Sequence, residues 1–127
     1  ITINESLIKT IEPTMEEAKE CARELLSLPN RPQAIFATND TIAIGVVKVA
    51  LQMGLSIPDD ISIIGYDDSN LSEIIEPELT TVRIEKEEMG KLAANKLIDI
   101  LQGGIQSKEI IECPTTLIVR GTTHGHN

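Results

Sequence analysis

The sequence predicts an α/β fold in which a mainly parallel sheet carries helices on both of its faces. Short apolar runs of strand length alternate along the chain with longer segments of helical periodicity, the pattern of parallel strands joined by helices. Pro, Gly and Asn mark the borders between these runs. With 127 residues, 41% of them hydrophobic, the chain is long enough for one domain with a real core.

The clearest strand lies at residues 61–65, where three isoleucines are followed at once by Gly65. Such a β-branched run is typical of a buried strand in a parallel sheet. Pro58 marks its entry, because proline cannot donate to the hydrogen-bond ladder. Tyr66, Asp67 and Asp68 follow directly, so we expect them at the edge of the sheet where α/β proteins bind ligands.

Before this strand we expect a strand at Ser6–Ile11 and a helix that begins at Thr14. Thr14 and Glu17 have the spacing of a capping box. Residues 34–37 predict a second buried strand. The apolar stretch 41–53 is too long for a strand and predicts a helix, with Asp40 as its N-cap and Gly54 as the left-handed residue that ends it.

After this strand we expect a helical turn, a strand, an amphipathic helix and two terminal strands, at residues 71–75, 79–82, 85–101, 109–111 and 116–119. The acidic first turn of the helix 85–101 suits the positive end of the helix dipole. Two glycines, Gly103 and Gly104, end this helix.

Composition excludes several functions for this piece of chain. A net charge of −9 argues against direct contact with nucleic acid. Cys21 and Cys113 lack the spacing of a disulfide framework or a metal site, and we interpret them as reduced core residues. We see no signal peptide, no membrane span and no phosphate-binding glycine motif. We therefore expect a cytoplasmic protein with no metal and no cofactor.

Polar residues follow three predicted strands, and right-handed crossovers should bring these strand ends to one edge of the sheet. They are Glu12, Thr38, Asn39, Asp40, Tyr66, Asp67 and Asp68. Carboxylates accept hydrogen bonds from hydroxyls, and an amide both donates and accepts. The set therefore predicts a site for a polyol such as a sugar or a nucleoside. It contains no histidine and no paired nucleophile and base, so we expect no catalytic residues.

Simpler roles compete with ligand binding at this edge. Asp40 is best explained as a helix cap, and Asn39 is either a turn residue or a ligand contact. Asp67 and Asp68 either close a turn or provide one ligand contact between them. Paired carboxylates also bind Mg²⁺ or a phosphoryl group in receiver domains, but that site requires a nearby lysine and a third acid.

Three motifs resemble the effector-binding domain of lactose-repressor-type (LacI/GalR) transcriptional regulators. They are RPxAIFAxNDxxAxG at residues 31–45, GLxIPDDISIIGYDD at 54–68 and PxLTTV at 77–82. The resemblance extends from about Glu5 to Gly121. It implies a two-lobed fold like that of periplasmic sugar-binding proteins, preceded by a helix-turn-helix headpiece that this chain lacks. Ligand between the lobes would change their closure and so the DNA binding of a dimer.

The resemblance also implies a division of the chain and a set of site residues. Residues 5–82 and 109–121 would belong to the C-terminal lobe, and 83–108 to the N-terminal lobe. Asn39 and Asp67 match positions that hydrogen-bond the effector. Secondary contacts would come from Glu12, Thr38 and Tyr66, and dimer contacts from Ile44, Val47, Leu71, Ile74 and Ile75.

This chain departs from its relatives at two places near the expected ligand. Many relatives place an aromatic residue where this chain has Ile11-Glu12-Pro13, and many have Gln where it has Ile84. We therefore leave the effector's identity open. Our first hypothesis is the effector-binding and dimerisation region of a bacterial regulator, which contacts operator DNA only through the absent headpiece. The alternatives are a periplasmic sugar-binding protein of a transporter and, less favoured, a sugar-phosphate or receiver-type enzyme.

The helix 85–101 should have an apolar face whose family partner is the absent lobe. We expect that face to pack either onto its own sheet or against another chain. We favour another chain, because other predicted helices already cover the faces of the sheet.

Overall fold

The structure, a computed structural model, describes residues 3–104 and 110–124. Its strands are β1 (Ala34–Phe36), β2 (Ser62–Asp67), β3 (Thr80–Ile84) and β4 (Thr115–Ile118). Its helices are α1 (Met15–Leu26), α2 (Asp40–Gln52) and α3 (Lys86–Leu101), with single 3₁₀ turns at Glu5–Leu7 and Asn70–Glu73.

The four strands form one sheet in the order β1-β2-β3-β4. The pairs β1–β2 and β2–β3 are parallel, and β3–β4 is antiparallel. The predicted α/β class with a mainly parallel sheet is confirmed. Phe36 is paired with Ile64, so β1 and β2 end at the same edge of the sheet. The polar residues that follow each strand are therefore neighbours in the fold.

Helix α2 forms the centre of the hydrophobic core, because it packs on both α1 and β2. Its buried residues join those of the strands in one cluster that includes Ala43, Val46, Val49, Ile61, Ile63 and Leu79. Gly45 allows the close crossing of the two helices, since a Cβ there would lie 2.7 Å from the Cβ of Ala18. The other face of β1 is open, and Phe36 on it is 61% exposed.

The segment after β4 returns to the core and inserts between the starts of β2 and β3. Thr122, which is fully buried, donates from Oγ1 to the Ile63 carbonyl at 2.7 Å. It also accepts a hydrogen bond from the Thr80 backbone N–H at 2.8 Å. The Ile63 backbone N–H in turn donates to the Thr122 carbonyl at 2.9 Å. The end of the described chain is thus a structural part of the sheet.

Helix α3 lies apart from this core. None of its residues is buried, and Leu97 and Leu101 are 58% and 76% exposed. Its apolar side, together with Ile111 and Cys113, lines a groove of about 370 Å³. In this structure α3 does not pack onto the sheet, and packing against another chain remains a prediction.

Two strand predictions differ from the structure. Ser6–Ile11 contains the end of a 3₁₀ turn and joins no strand of the described sheet, because its backbone makes no hydrogen bond to the edge strand β1. Of the predicted strand 109–111, Glu109 lies outside the described residues, and Ile110 and Ile111 are in no strand. Strands β2 and β3 each run two residues past their predicted ends, to Asp67 and Ile84.

Helix ends follow the sequence closely. Gly54 has the predicted left-handed backbone, with φ of +76°, and Gly103, which was predicted to end α3, also has a positive φ of +86°. Thr14 Oγ1 accepts a hydrogen bond from the Glu17 backbone N–H at 3.3 Å and so caps α1. The Thr14 backbone N–H donates to the Glu12 carbonyl at 2.7 Å rather than to the Glu17 side chain, so half of the capping box is formed.

Candidate functional site

Asn39 begins helix α2 at the end of β1, and it is half-buried. Its side-chain Oδ1 accepts a hydrogen bond from the Ile42 backbone N–H at 2.8 Å, the geometry of an N-cap. The prediction that Asp40 caps this helix is therefore wrong, because the residue before it already satisfies the free N–H. Asn39 keeps its side-chain N–H₂ as a donor, with no partner among the residues that the structure describes.

Asp40 is instead a buried link between three elements, with 2% of its surface exposed. Its Oδ1 accepts from the Thr81 hydroxyl of β3, and its Oδ2 accepts from the Ser69 backbone N–H, each at 2.6 Å. The Asp40 carboxylate packs closely against β2 at Gly65, and only glycine fits there because a Cβ would collide with the carboxylate. Asp40 therefore has a structural role in this protein.

Asp67 and Asp68 form a turn with an unusual backbone at the end of β2. Their φ angles are +109° and +48°, a region that residues with a side chain rarely adopt. Backbone strain of this kind persists only where the surroundings hold it, and it is concentrated at functional sites.

Asp68 is held by two arginines and has 8% of its side chain exposed. Arg83 Nε donates to one carboxylate oxygen at 2.6 Å, and Arg120 Nη1 lies 2.8 Å from the other, which also accepts from the Ser72 hydroxyl at 3.1 Å. Burial alone would raise the pKa of Asp68. The hydrogen bonds from Arg83, Arg120 and Ser72 outweigh that effect and hold the pKa below its ordinary value.

Arg120 completes this network from the chain that follows β4, and its side chain is also 8% exposed. It donates to the Leu79 carbonyl at 3.0 Å and pairs with Glu73 at 2.8 Å. Burial alone would lower the pKa of Arg120, but its pairing with Asp68 and Glu73 raises it, so the pair stays charged. We did not expect roles for Arg83 and Arg120 from the sequence, where neither is near Asp68.

The other polar groups at this edge differ from Asp40 and Asp68 in their bonding. Within residues 3–104 and 110–124, no hydrogen bond or ion pair engages the Asp67 carboxylate or the Tyr66 hydroxyl, and both residues are half-buried. Glu12 and Thr38 are exposed. The three aspartates at this edge therefore differ. The carboxylates of Asp40 and Asp68 bind other groups of the protein, and the Asp67 carboxylate has no partner among the described residues.

The chemistry of these donors does not suit a magnesium site. Two guanidinium groups already neutralise Asp68, so it cannot share a cation with Asp67. In the described part of the chain, no group of three histidine, cysteine or acidic side chains could hold a metal ion.

A cavity of about 270 Å³ lies beside this edge, between residues 7–11, helix α1 and strand β1. Thr38 lines it, but Asn39, Tyr66 and Asp67 do not. Most of its lining is apolar, including Leu25, Phe36 and Val46, so it offers few partners for the hydroxyls of a polyol. Cys21 also lines it, and burial raises the pKa of that thiol, consistent with an unreactive side chain.

The residues predicted for a dimer interface fall into two groups. Ile44 and Val47 are 3% and 2% exposed and belong to the core, so in this structure they do not face a partner. That part of the prediction needs correction, because α2 is covered by α1 on one side and by the sheet on another. Leu71 and Ile74 are 49% and 74% exposed, and Ile75 is partly buried against the core.

Among the described helices, none has the length and apolar character required to cross a membrane.

The chain is similar to known transcriptional regulators. It is 39% identical over 103 residues to the ribose operon repressor of Escherichia coli K12, covering 81% of this chain and 31% of that protein. It is 37% identical over 122 residues to the HTH-type transcriptional repressor PurR of Vibrio vulnificus, covering 96% and 36%. The chain thus spans about a third of the length of these curated relatives.

A solved structure shares this fold. The transcriptional regulator CelR in complex with cellobiose matches with a TM-score of 0.89 at 30% identity, covering 96% of this chain and 37% of that one. The resemblance deduced from the three motifs is confirmed. A sequence profile described as "Periplasmic binding protein-like domain" matches residues 2–123, and the chain belongs to this family.

Proposed function

We propose that this chain is the effector-binding part of a bacterial transcriptional regulator and that its ligand is a sugar or a related polyol. The relatives support this proposal, because they are repressors and one regulator of the same fold binds cellobiose. None of these three is a transporter component, so we do not favour the periplasmic alternative.

The proposed ligand site is chosen from the hydrogen-bonding groups that the protein itself does not use. At the shared edge of β1 and β2, Asp67 and Asn39 keep hydrogen-bonding groups without partners among the described residues, while Asp40 and Asp68 do not. A carboxylate accepts from two hydroxyls, and the amide N–H₂ donates to a third oxygen. Tyr66 at the same strand end adds a hydroxyl, and Glu12 and Thr38 are secondary candidates.

The regulator would act on operator DNA through a part of the protein outside this chain. The net charge of −9 disfavours contact between this chain and phosphates. We propose that residues 83–108 belong to a second lobe, as the position of α3 away from the core suggests. Ligand bound between two lobes would then change their closure. We expect a cytoplasmic protein that binds its ligand without turning it over.

We also propose that the regulator is a homodimer. Exposed apolar residues on and after the turn Asn70–Glu73 support this proposal, above all Leu71 and Ile74. Large exposed apolar patches mark protein–protein contacts, and Leu71 and Ile74 would contribute neighbouring apolar side chains to such a patch.

Isothermal titration calorimetry of the intact regulator with D-ribose, D-glucose and cellobiose tests the proposed site. Asp67→Ala should weaken binding of the sugar that binds, since a hydrogen bond to a charged group contributes about 1.5–3 kcal/mol. Asp99→Asn on exposed α3 removes the same charge and serves as the matched control. Equal affinity of Asp67→Ala and wild type, with both folded, would remove Asp67 from the site.

A further inference from the structure

The turn Asp67–Asp68 requires an external cause for its shape. Two consecutive residues with side chains have positive φ, and +109° at Asp67 lies outside the common left-handed region. Strain of this kind is stable only if surrounding contacts determine the conformation. The contacts made by this turn therefore identify what sets the direction of the Asp67 side chain.

Three cations hold the turn, and they do so at different atoms. Arg83 and Arg120 bind the two carboxylate oxygens of Asp68, at 2.6 Å and 2.8 Å. Lys86 Nζ donates to the Asp67 carbonyl at 2.6 Å. None of these bonds uses the Asp67 carboxylate, which stays available.

The three cations come from the segments of chain that lead into and out of α3. Arg83 lies in β3, Lys86 is the first residue of α3, and Arg120 follows β4. The chain leaves the sheet for α3 after β3 and returns to it through β4. Both connections to α3 therefore contact the turn Asp67–Asp68.

We infer that Asp68 is a positioning residue, which holds Asp67 in its strained backbone and so aims the Asp67 carboxylate at the ligand. This inference rests on the proposed function only in assigning a ligand to Asp67. The sequence has two adjacent acids at this strand end, and the structure gives them different tasks. Asp67 faces the ligand, and Asp68 anchors the turn to the strands on either side of α3.

The first experiment needs no ligand. In NMR spectra of the intact regulator, a residue with positive φ gives a strong cross-peak between its own amide and α protons. Wild type should show it at Asp67, and Asp68→Asn should lose it. Glu73→Gln is the matched control, because it removes another ion pair of Arg120 without touching the turn. Persistence of the cross-peak in Asp68→Asn would overturn the inference.

A second variant keeps the test decisive if Asp68→Asn fails to fold. Arg83→Gln removes one anchor of Asp68, and the Arg83 side chain is 45% exposed, so the core is left intact. If Asp68→Asn does not fold, Arg83→Gln should weaken the Asp67 cross-peak. An unchanged cross-peak in a folded Arg83→Gln chain would then contradict the inference.

The second experiment separates positioning from general stabilisation, with D-ribose and cellobiose as probes and the intact regulator as the protein. Asp68→Asn should weaken binding about tenfold in the wild-type background, and it should have no further effect beside Asp67→Asn. Equal weakening in both backgrounds would mean that Asp68 acts on the fold alone and would overturn the inference. Loss of the cross-peak without binding of either sugar to wild type would count against the proposed function and would still support the positioning role.

Discussion

Asn39 performs two tasks with two atoms of one side chain. Its Oδ1 caps α2, and its N–H₂ group has no partner in the described ranges. The two interpretations that the sequence left open for this residue, turn residue or ligand contact, are therefore compatible. A substitution that changes one atom and keeps the other separates them.

We predict that Asn39→Ser keeps stability and loses affinity, whereas Asn39→Ala loses both. Serine caps helices about as well as asparagine, and alanine at an N-cap costs about 1 kcal/mol. Alanine has no donor, and the serine hydroxyl lies one bond nearer to the backbone than the amide nitrogen and does not reach its position. Urea denaturation and calorimetric titration of both variants give the two quantities. If Asn39→Ser bound sugar as tightly as wild type, Asn39 would be a cap and nothing more.

Asp68 should make stability depend on pH in the acid range. Its folded pKa is lowered below the ordinary value of 3.8, so its ion pairs stabilise the fold above that pH. This stabilisation is lost as the pH falls through the folded pKa. Asp68→Asn should cost about 2 kcal/mol at pH 7 and much less once the pH is well below 3.8. Urea denaturation of both proteins across this range measures the difference, and a constant difference would refute the assignment.

At the scale of elements, the alternation of strands and helices was predictable because each element carries its own local signal. Gly54 and Gly103 end helices, the isoleucines around residue 63 form a buried strand, and Thr14 caps α1. The strand at Ser6–Ile11 was predicted wrongly, since a strand requires a neighbour and that segment bonds to none. Pairing is a property of the fold, and a local sequence pattern does not contain it.

The candidate site was predictable in part for the same reason. Asn39 and Asp67 lie at the ends of strands whose direction can be inferred from the sequence, so their shared edge was predictable. Asp40 was misassigned because its partners, Thr81 and Ser69, lie far along the chain. Arg120 comes 52 positions after Asp68, and nothing in the sequence indicates that their side chains pair.

The contact between α1 and α2 depends on a glycine, and a matched pair of substitutions tests this. Gly45→Ala should destabilise the chain by about 1–3 kcal/mol, because the new methyl group would press on Ala18. Gly90→Ala in α3 meets nothing within 4 Å and should stabilise that helix by about 1 kcal/mol. Thermal unfolding followed by circular dichroism measures both. Equal effects of the two substitutions would show that the crossing of α1 and α2 is not tight.

For the whole molecule, the burial of Ile44 changes how a dimer should be tested. A charge at this position would be placed in the core and would unfold the chain. We predict that Leu71→Asp and Ile74→Asp dissociate the intact regulator without unfolding it, because both residues are exposed here. Sedimentation velocity with circular dichroism as the control checks this prediction. A dimer that survives the combined substitution would have its interface elsewhere.

We propose that Asn39 and Asp67 bind a hydroxylated ligand, while Asp40 and Asp68 hold the fold. An NMR titration of the intact regulator with D-ribose and, separately, cellobiose tests this division of roles, because it detects weak binding residue by residue. We expect the largest shifts at the Asn39 side-chain amide and the Asp67 backbone amide, with smaller changes at Ala18 and Val49 in the core. Shifts confined to α3 or to the apolar cavity beside β1 would contradict this division of roles.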